Sequence, residues 1–142
     1  MNNNIRRAVA YYTKKTGTND PFQIAQSLNI EVQYGNLGEC SGCYMFLKNH
    51  RYIFLNQYLP ENESRLVMAH ELGHAILHRK ENCYFIRNKT LLLNSKIELQ
   101  ANQFAAELLI PDSIINEYRD FTLEQLSRLV GYNQKLVELR LK

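Results

Sequence analysis

The sequence predicts an α+β fold, with helices packed against a short antiparallel or mixed β-sheet. Apolar residues recur at helical spacing up to Leu28 and again beyond Pro60. Between these segments, from Ile30 to Leu55, the pattern changes to the β-rich alternation of strands. The chain has 142 residues, 45% hydrophobic and 22% charged. That is ordinary for a globular protein and fits one compact domain over residues 1–142.

Along the chain, Ile5, Ala8, Val9 and Tyr12 lie on one side of a predicted helix from Ile5 to Lys14. Thr16-Gly17-Thr18-Asn19 breaks it, and Asp20-Pro21 supplies a cap and an N1 proline for a short helix to about Leu28. Ile30, Val32 and Tyr34 alternate as in a strand. Tyr44–Leu47 and Tyr52–Leu55 flank Lys48-Asn49-His50-Arg51 as a hairpin, which leaves His50 solvated in the turn. A sheet of this kind offers an edge along which a substrate chain can add. Two longer helices are expected at about 61–79 and 96–110, and short helices over 112–142. Thr122-Leu-Glu-Gln125 is a capping-box pattern, and Gly131 ends that helix. The segment from Glu81 to Asn94 is less regular. Its Tyr84-Phe85-Ile86 and Leu91-Leu92-Leu93 clusters are expected on the core or along a groove.

Within the first long helix stands His70-Glu71-Leu72-Gly73-His74, an HExxH sequence. In a shuffled chain of this composition it arises on the order of once in a hundred trials, so context matters. The context is an amphipathic helical pattern carrying Leu66, Val67, Ala69, Ile76 and Leu77. Histidines four apart share one helix face, about 6 Å apart along the axis, and can reach one ion. Glu71 can then face the activated water as general base. Gly73 costs about 1 kcal/mol of helix propensity relative to Ala, which implies close approach by another element.

A catalytic zinc site needs a third protein ligand and one open position. His78 is eight residues beyond His70, about 12 Å along a straight helix, too far to share its ion. It is expected in the last turn, where a cation complements the helix dipole. Glu98 is the better candidate, because Ala101, Ala105 and Ala106 let its helix pack closely on the first. Ser95-Lys-Ile-Glu98 also matches a capping box, which competes for the same carboxylate. Asn102, one turn on, can accept the outer N–H of His70 or His74.

The run HELGHAILH, followed by ELQANQFAAELLIP, resembles the ImmA/IrrE family of small metallopeptidases. The likeness extends from about Ile53 to the end of the sequence. It implies a small gluzincin-like zinc metallopeptidase with one Zn2+ per chain. It also implies His70, His74 and Glu98 as metal ligands and Glu71 as catalytic base. The family's known activity is cleavage of a phage-type helix-turn-helix repressor, which derepresses a mobile element or a stress response. The alternative is a metal-containing regulatory protein that holds a repressor without turnover. A third possibility, a structural zinc domain, would close the fourth position with a protein group. An oxyanion-stabilising donor is expected as well, with Tyr84 and Tyr52 as candidates.

Composition excludes other classes. Net charge of +3 is too weak to imply nucleic-acid binding, and the sequence lacks an apolar run of membrane-spanning length. The N-terminal segment lacks a signal-peptide core, so a cytoplasmic location is expected. The C-terminal helices resemble a helix-turn-helix in outline. Lys135, Arg140 and Lys142 are their basic residues from Asn133 onward, which suits a packing element. Cys40-Ser-Gly-Cys43 lies in a Gly-rich stretch read as a loop. With Cys83, the count of three argues against a disulfide framework.

Overall fold

The computed structural model describes residues 3–86 and 95–142, with backbone alone at Tyr84 and Ile86. The chain opens with α1 (Asn3–Thr16) and α2 (Pro21–Ser27). Asp20 caps α2 by accepting from Phe22 N at 2.9 Å, with Pro21 at the first helical position. Next come β1 (Glu31–Gly35), β2 (Cys40–Leu47) and β3 (His50–Asn56). The central helix α3 (Glu61–Leu77) leads to β4 (Cys83–Ile86), and α4 (Lys96–Leu109) follows. The short helices α5 (Asp112–Glu117), α6 (Leu123–Val130) and α7 (Gln134–Leu141) complete the order.

The four strands form one mixed sheet in the order β1-β3-β2-β4. β1 runs parallel to β3, while β2 is antiparallel to both β3 and β4. The β2–β3 turn is Lys48-Asn49, both at positive φ (49° and 62°), as a two-residue hairpin of right-handed twist demands. His50 already belongs to β3. Cys40 and Cys43 lie within β2 rather than in a loop, and all three cysteines are free thiols.

Alternation decides what each strand side chain can reach. Ile53, Leu55 and Tyr44 are fully buried beneath α3. Tyr52 and Phe54 lie on the other face, their rings stacked with centroids 6.2 Å apart. Tyr52 therefore cannot serve as an oxyanion donor at a site on α3. The side chain of Tyr84 and the Leu91-Leu92-Leu93 cluster lie outside the described residues.

α3 departs from the amphipathic expectation. Every residue from Leu66 to Ala75 is buried, because the sheet covers one side and α4 another. Two glycines allow this packing. A Cβ at Gly42 of β2 would stand 2.6 Å from Val67 Cγ1 and 2.9 Å from Phe54 O. A Cβ at Gly73 would stand 3.1 Å from Phe104 Cβ on α4. All three distances are shorter than ordinary van der Waals contact, so a larger residue at either glycine would push α3 off its neighbours.

The C-terminal helices pack as the charge pattern suggested. Thr122 and Gln125 exchange both bonds of the capping box, at 3.1 and 2.9 Å. Leu136 and Val137 are fully buried. Arg140 is spent internally, donating to Ile110 O and to Asp112, with Glu107 Oε2 3.6 Å away.

Candidate metal centre

α3 carries His70, Glu71 and His74, all fully buried, and α4 carries Glu98 and Asn102. Gly73 lets the two helices approach, and the side chains meet between them. His70 Nε2 and His74 Nε2 are 3.2 Å apart. Glu98 faces both, with Oε2 3.3 Å from His70 Nε2 and Oε1 2.7 Å from His74 Nε2. Ser95 makes no side-chain cap bond at the start of α4, so Glu98 is turned to the histidines rather than to the helix end.

The outer nitrogens point away from this centre. Asn102 Oδ1 lies 2.7 Å from His70 Nδ1. His74 Nδ1 is 3.0 Å from His78 Nδ1, and His78 Nε2 is 2.8 Å from Gln100 Oε1. His78 is thus not simply a last-turn cation. It sits at the C-cap of α3 with its ring against His74. The signal was in the sequence: His74 and His78 are four apart, the same spacing as His70 and His74. Phe85 of β4 closes one flank, its ring edge-on to His70 at 4.9 Å between centroids.

Glu71 points into the same space. Among the described residues neither of its carboxylate oxygens has a hydrogen-bond partner; His70 Nε2 stands 3.9 Å from Oε1. A fully buried, unbonded carboxylate is costly unless it is protonated or faces a cation or water. Burial, then the neighbouring Glu98 charge, pushes its pKa well above the usual carboxylate range. Glu98 goes the other way. Burial alone would raise it, but hydrogen bonds and charge from His70 and His74 hold it down at about 2. Burial also lowers His74 and His78 below the usual imidazole value, against the opposing bonds from Glu98 and Gln100 respectively.

The residues fit a divalent ion. Two imidazole nitrogens and a carboxylate converge, their outer atoms are bonded outward, and an orphaned carboxylate lies beside them. Two nitrogens and one oxygen make a donor set suited to zinc and its first-row neighbours. The candidate ligand atoms of His70, Glu71 and His74 fall within 4.8 Å of one another. Those of His74, Cys83 and Glu98 do so as well. Sequence reasoning missed Cys83, since the pairing of Tyr44 with Cys83 across β2 and β4 is needed to place it. Burial first, then the Glu98, Glu71 and Glu81 charges, push its thiol up to about 12.

Among the described residues no helix is long and apolar enough to cross a membrane. The chain is 38% identical over 139 residues to the uncharacterized immunity region protein 2 of Bacillus phage phi105, covering 96% of this chain and 88% of that one. It is 32% identical over 129 residues to the metallopeptidase ImmA of Bacillus subtilis strain 168, covering 87% and 75%. Residues 25–142 match the peptidase family described as the IrrE N-terminal-like domain. The chain therefore belongs to the ImmA/IrrE family of metallopeptidases.

Proposed function

We propose that residues 1–142 form one zinc-dependent metalloendopeptidase domain, acting in the cytoplasm on a helix-turn-helix repressor. One zinc per chain would be held by His70, His74 and Glu98. The observation that carries this reading is the buried Glu71 carboxylate, without a hydrogen-bond partner among the described residues, beside the converging imidazoles. A structural site has no use for such a base, whereas hydrolysis requires one.

When bound, the ion supplies Lewis-acid activation of the water and of the scissile carbonyl. Glu71 takes a proton from the attacking water as its oxygen adds to the carbonyl carbon. It then gives the proton to the amine nitrogen as the C–N bond breaks, leaving a carboxylate and an amine. Among the described residues no hydrogen-bond partner competes for the Glu71 carboxylate. Asn102 holds the ring of His70 by accepting from Nδ1–H.

The choice of substrate is supported by the family resemblance, and by a relative whose name places it in a phage immunity region. The test is to incubate the protein and its Glu71→Gln variant with the repressor encoded beside its gene, measuring metal and cleavage together. The expected result is about one zinc per chain in both proteins, with cleavage by the wild type alone. Zinc in both with cleavage by neither would replace this reading with a regulatory protein that binds its partner without turnover.

A further inference from the structure

We infer that His78 and Gln100 are positioning residues for the metal centre, which together fix the tautomer of His74 that leaves its Nε2 lone pair free. This inference rests on the zinc reading above.

A neutral imidazole carries one proton, and the nitrogen that bears it cannot coordinate. For His74 to offer Nε2, its proton must reside on Nδ1. Glu98 Oε1, 2.7 Å from Nε2, competes for that proton until an ion stands between them; once Nε2 and Glu98 both face the ion, the groups at Nδ1 decide where it goes. His74 Nδ1 lies 3.0 Å from His78 Nδ1, so one nitrogen donates and the other accepts. His78 Nε2 lies 2.8 Å from Gln100 Oε1, a carbonyl oxygen that can only accept. His78 therefore keeps its proton on Nε2 and presents a bare Nδ1. The chain runs from His74 Nδ1–H to His78 Nδ1, and from His78 Nε2–H to Gln100 Oε1. Run in the opposite direction, it would place a proton on His74 Nε2, 2.7 Å from Glu98 Oε1, and block coordination.

His70 reaches the same state with a single group, the Asn102 oxygen 2.7 Å from its Nδ1. One helix thus serves both histidines: α4 carries the candidate ligand Glu98 and, at two-residue intervals, Gln100 and Asn102. His78 reaches His74 from four residues on, at the end of the helix. As C-cap of α3 it adopts φ −133° and ψ 52°, its N–H bonding back to His74 O, and its ring folds against that of His74. Outer partners of this kind set ring orientation and ligand basicity in metal sites.

The test uses the full chain loaded with zinc. Long-range 1H–15N spectra of the imidazoles report which nitrogen carries each proton. Competition with a chromophoric chelator gives zinc affinity for the wild type, Gln100→Glu, Gln100→Leu and His78→Phe. The spectra should place the His74 proton on Nδ1 and the His78 proton on Nε2. Gln100→Leu should weaken zinc binding about tenfold and His78→Phe about ten- to a hundredfold. Gln100→Glu still offers an acceptor and should stay within about threefold of wild type. Gln100 is only partly buried, so its variants keep the question answerable even if His78→Phe misfolds. A packing role alone would weaken both Gln100 variants alike and leave the imidazole protons in place. A His78 proton on Nδ1, or unchanged affinity in Gln100→Leu and His78→Phe, overturns the relay alone. Failure of the wild type to bind zinc overturns the zinc reading, and the relay with it.

Discussion

Replacing Gly73 by alanine sets helix propensity against packing. Alanine should gain about 1 kcal/mol in a helix interior. The added Cβ would stand 3.1 Å from Phe104 Cβ and 3.2 Å from its Cγ and Cδ1. Carbon atoms prefer about 3.5–4.0 Å, so α3 and α4 must part by a few tenths of an ångström or the ring must turn. Phe104 is fully buried and cannot turn freely. Overpacking of this kind costs about 1–3 kcal/mol. Packing should win, leaving Gly73→Ala less stable by about 1 kcal/mol. Urea unfolding of the metal-free protein would read this as a lower midpoint at unchanged slope. Phe104→Leu should cost less in the Gly73→Ala background than alone, with a coupling of about 0.5–1 kcal/mol. A variant more stable by about 1 kcal/mol, uncoupled to Phe104, would refute the claim that Gly73 exists for helix approach.

Other consequences are as direct. Arg140→Met should lower stability by about 3 kcal/mol, because it strips the buried Glu107 of one cation and leaves Arg6 alone at 3.1 Å. A loss under about 0.5 kcal/mol in urea unfolding would remove this network as the anchor of α7. Burial pushes the thiols of Cys43 and Cys83 up, to about 11 and about 12. A raised thiol pKa means less nucleophilic thiolate at a given pH, so near pH 8 both should resist iodoacetamide in the folded protein. Both should react fully once it is denatured, and rapid native labelling of Cys83 would contradict its placement beneath α3.

Legibility varied with the range of the forces involved. Local chemistry was readable: the Asp20-Pro21 start of α2 and the Thr122–Gln125 capping box stand where their residue types place them. The β2–β3 hairpin was also legible, although its turn is two residues rather than four. β4 was not, because Cys83-Tyr84-Phe85-Ile86 is apolar throughout and shows no alternation until β2 lies beside it. α3 reads as amphipathic from Leu66, Val67, Ala69, Ile76 and Leu77 at helical spacing, yet every residue from Leu66 to Ala75 is buried. Burial on all sides depends on two partners, the sheet and α4, that only the tertiary fold supplies. At the centre, Glu98 fitted two descriptions, a cap and a ligand, and only the packing of α4 on α3 turns it toward the histidines. His78 was excluded as a co-ligand on distance along the axis. Its contact with His74 follows from their i,i+4 spacing, the same that pairs His70 with His74.

In the proposed centre, His70, His74 and Glu98 hold the ion while Glu71 works beside it without holding it. Zinc stoichiometry and affinity across single variants, with folding checked by circular dichroism, test this most directly. Glu98→Ala, His70→Ala and His74→Ala should each lose zinc, while Glu71→Gln should keep about one per chain and be inert toward substrate. Full zinc retention by Glu98→Ala, or loss of zinc by Glu71→Gln, would contradict the account.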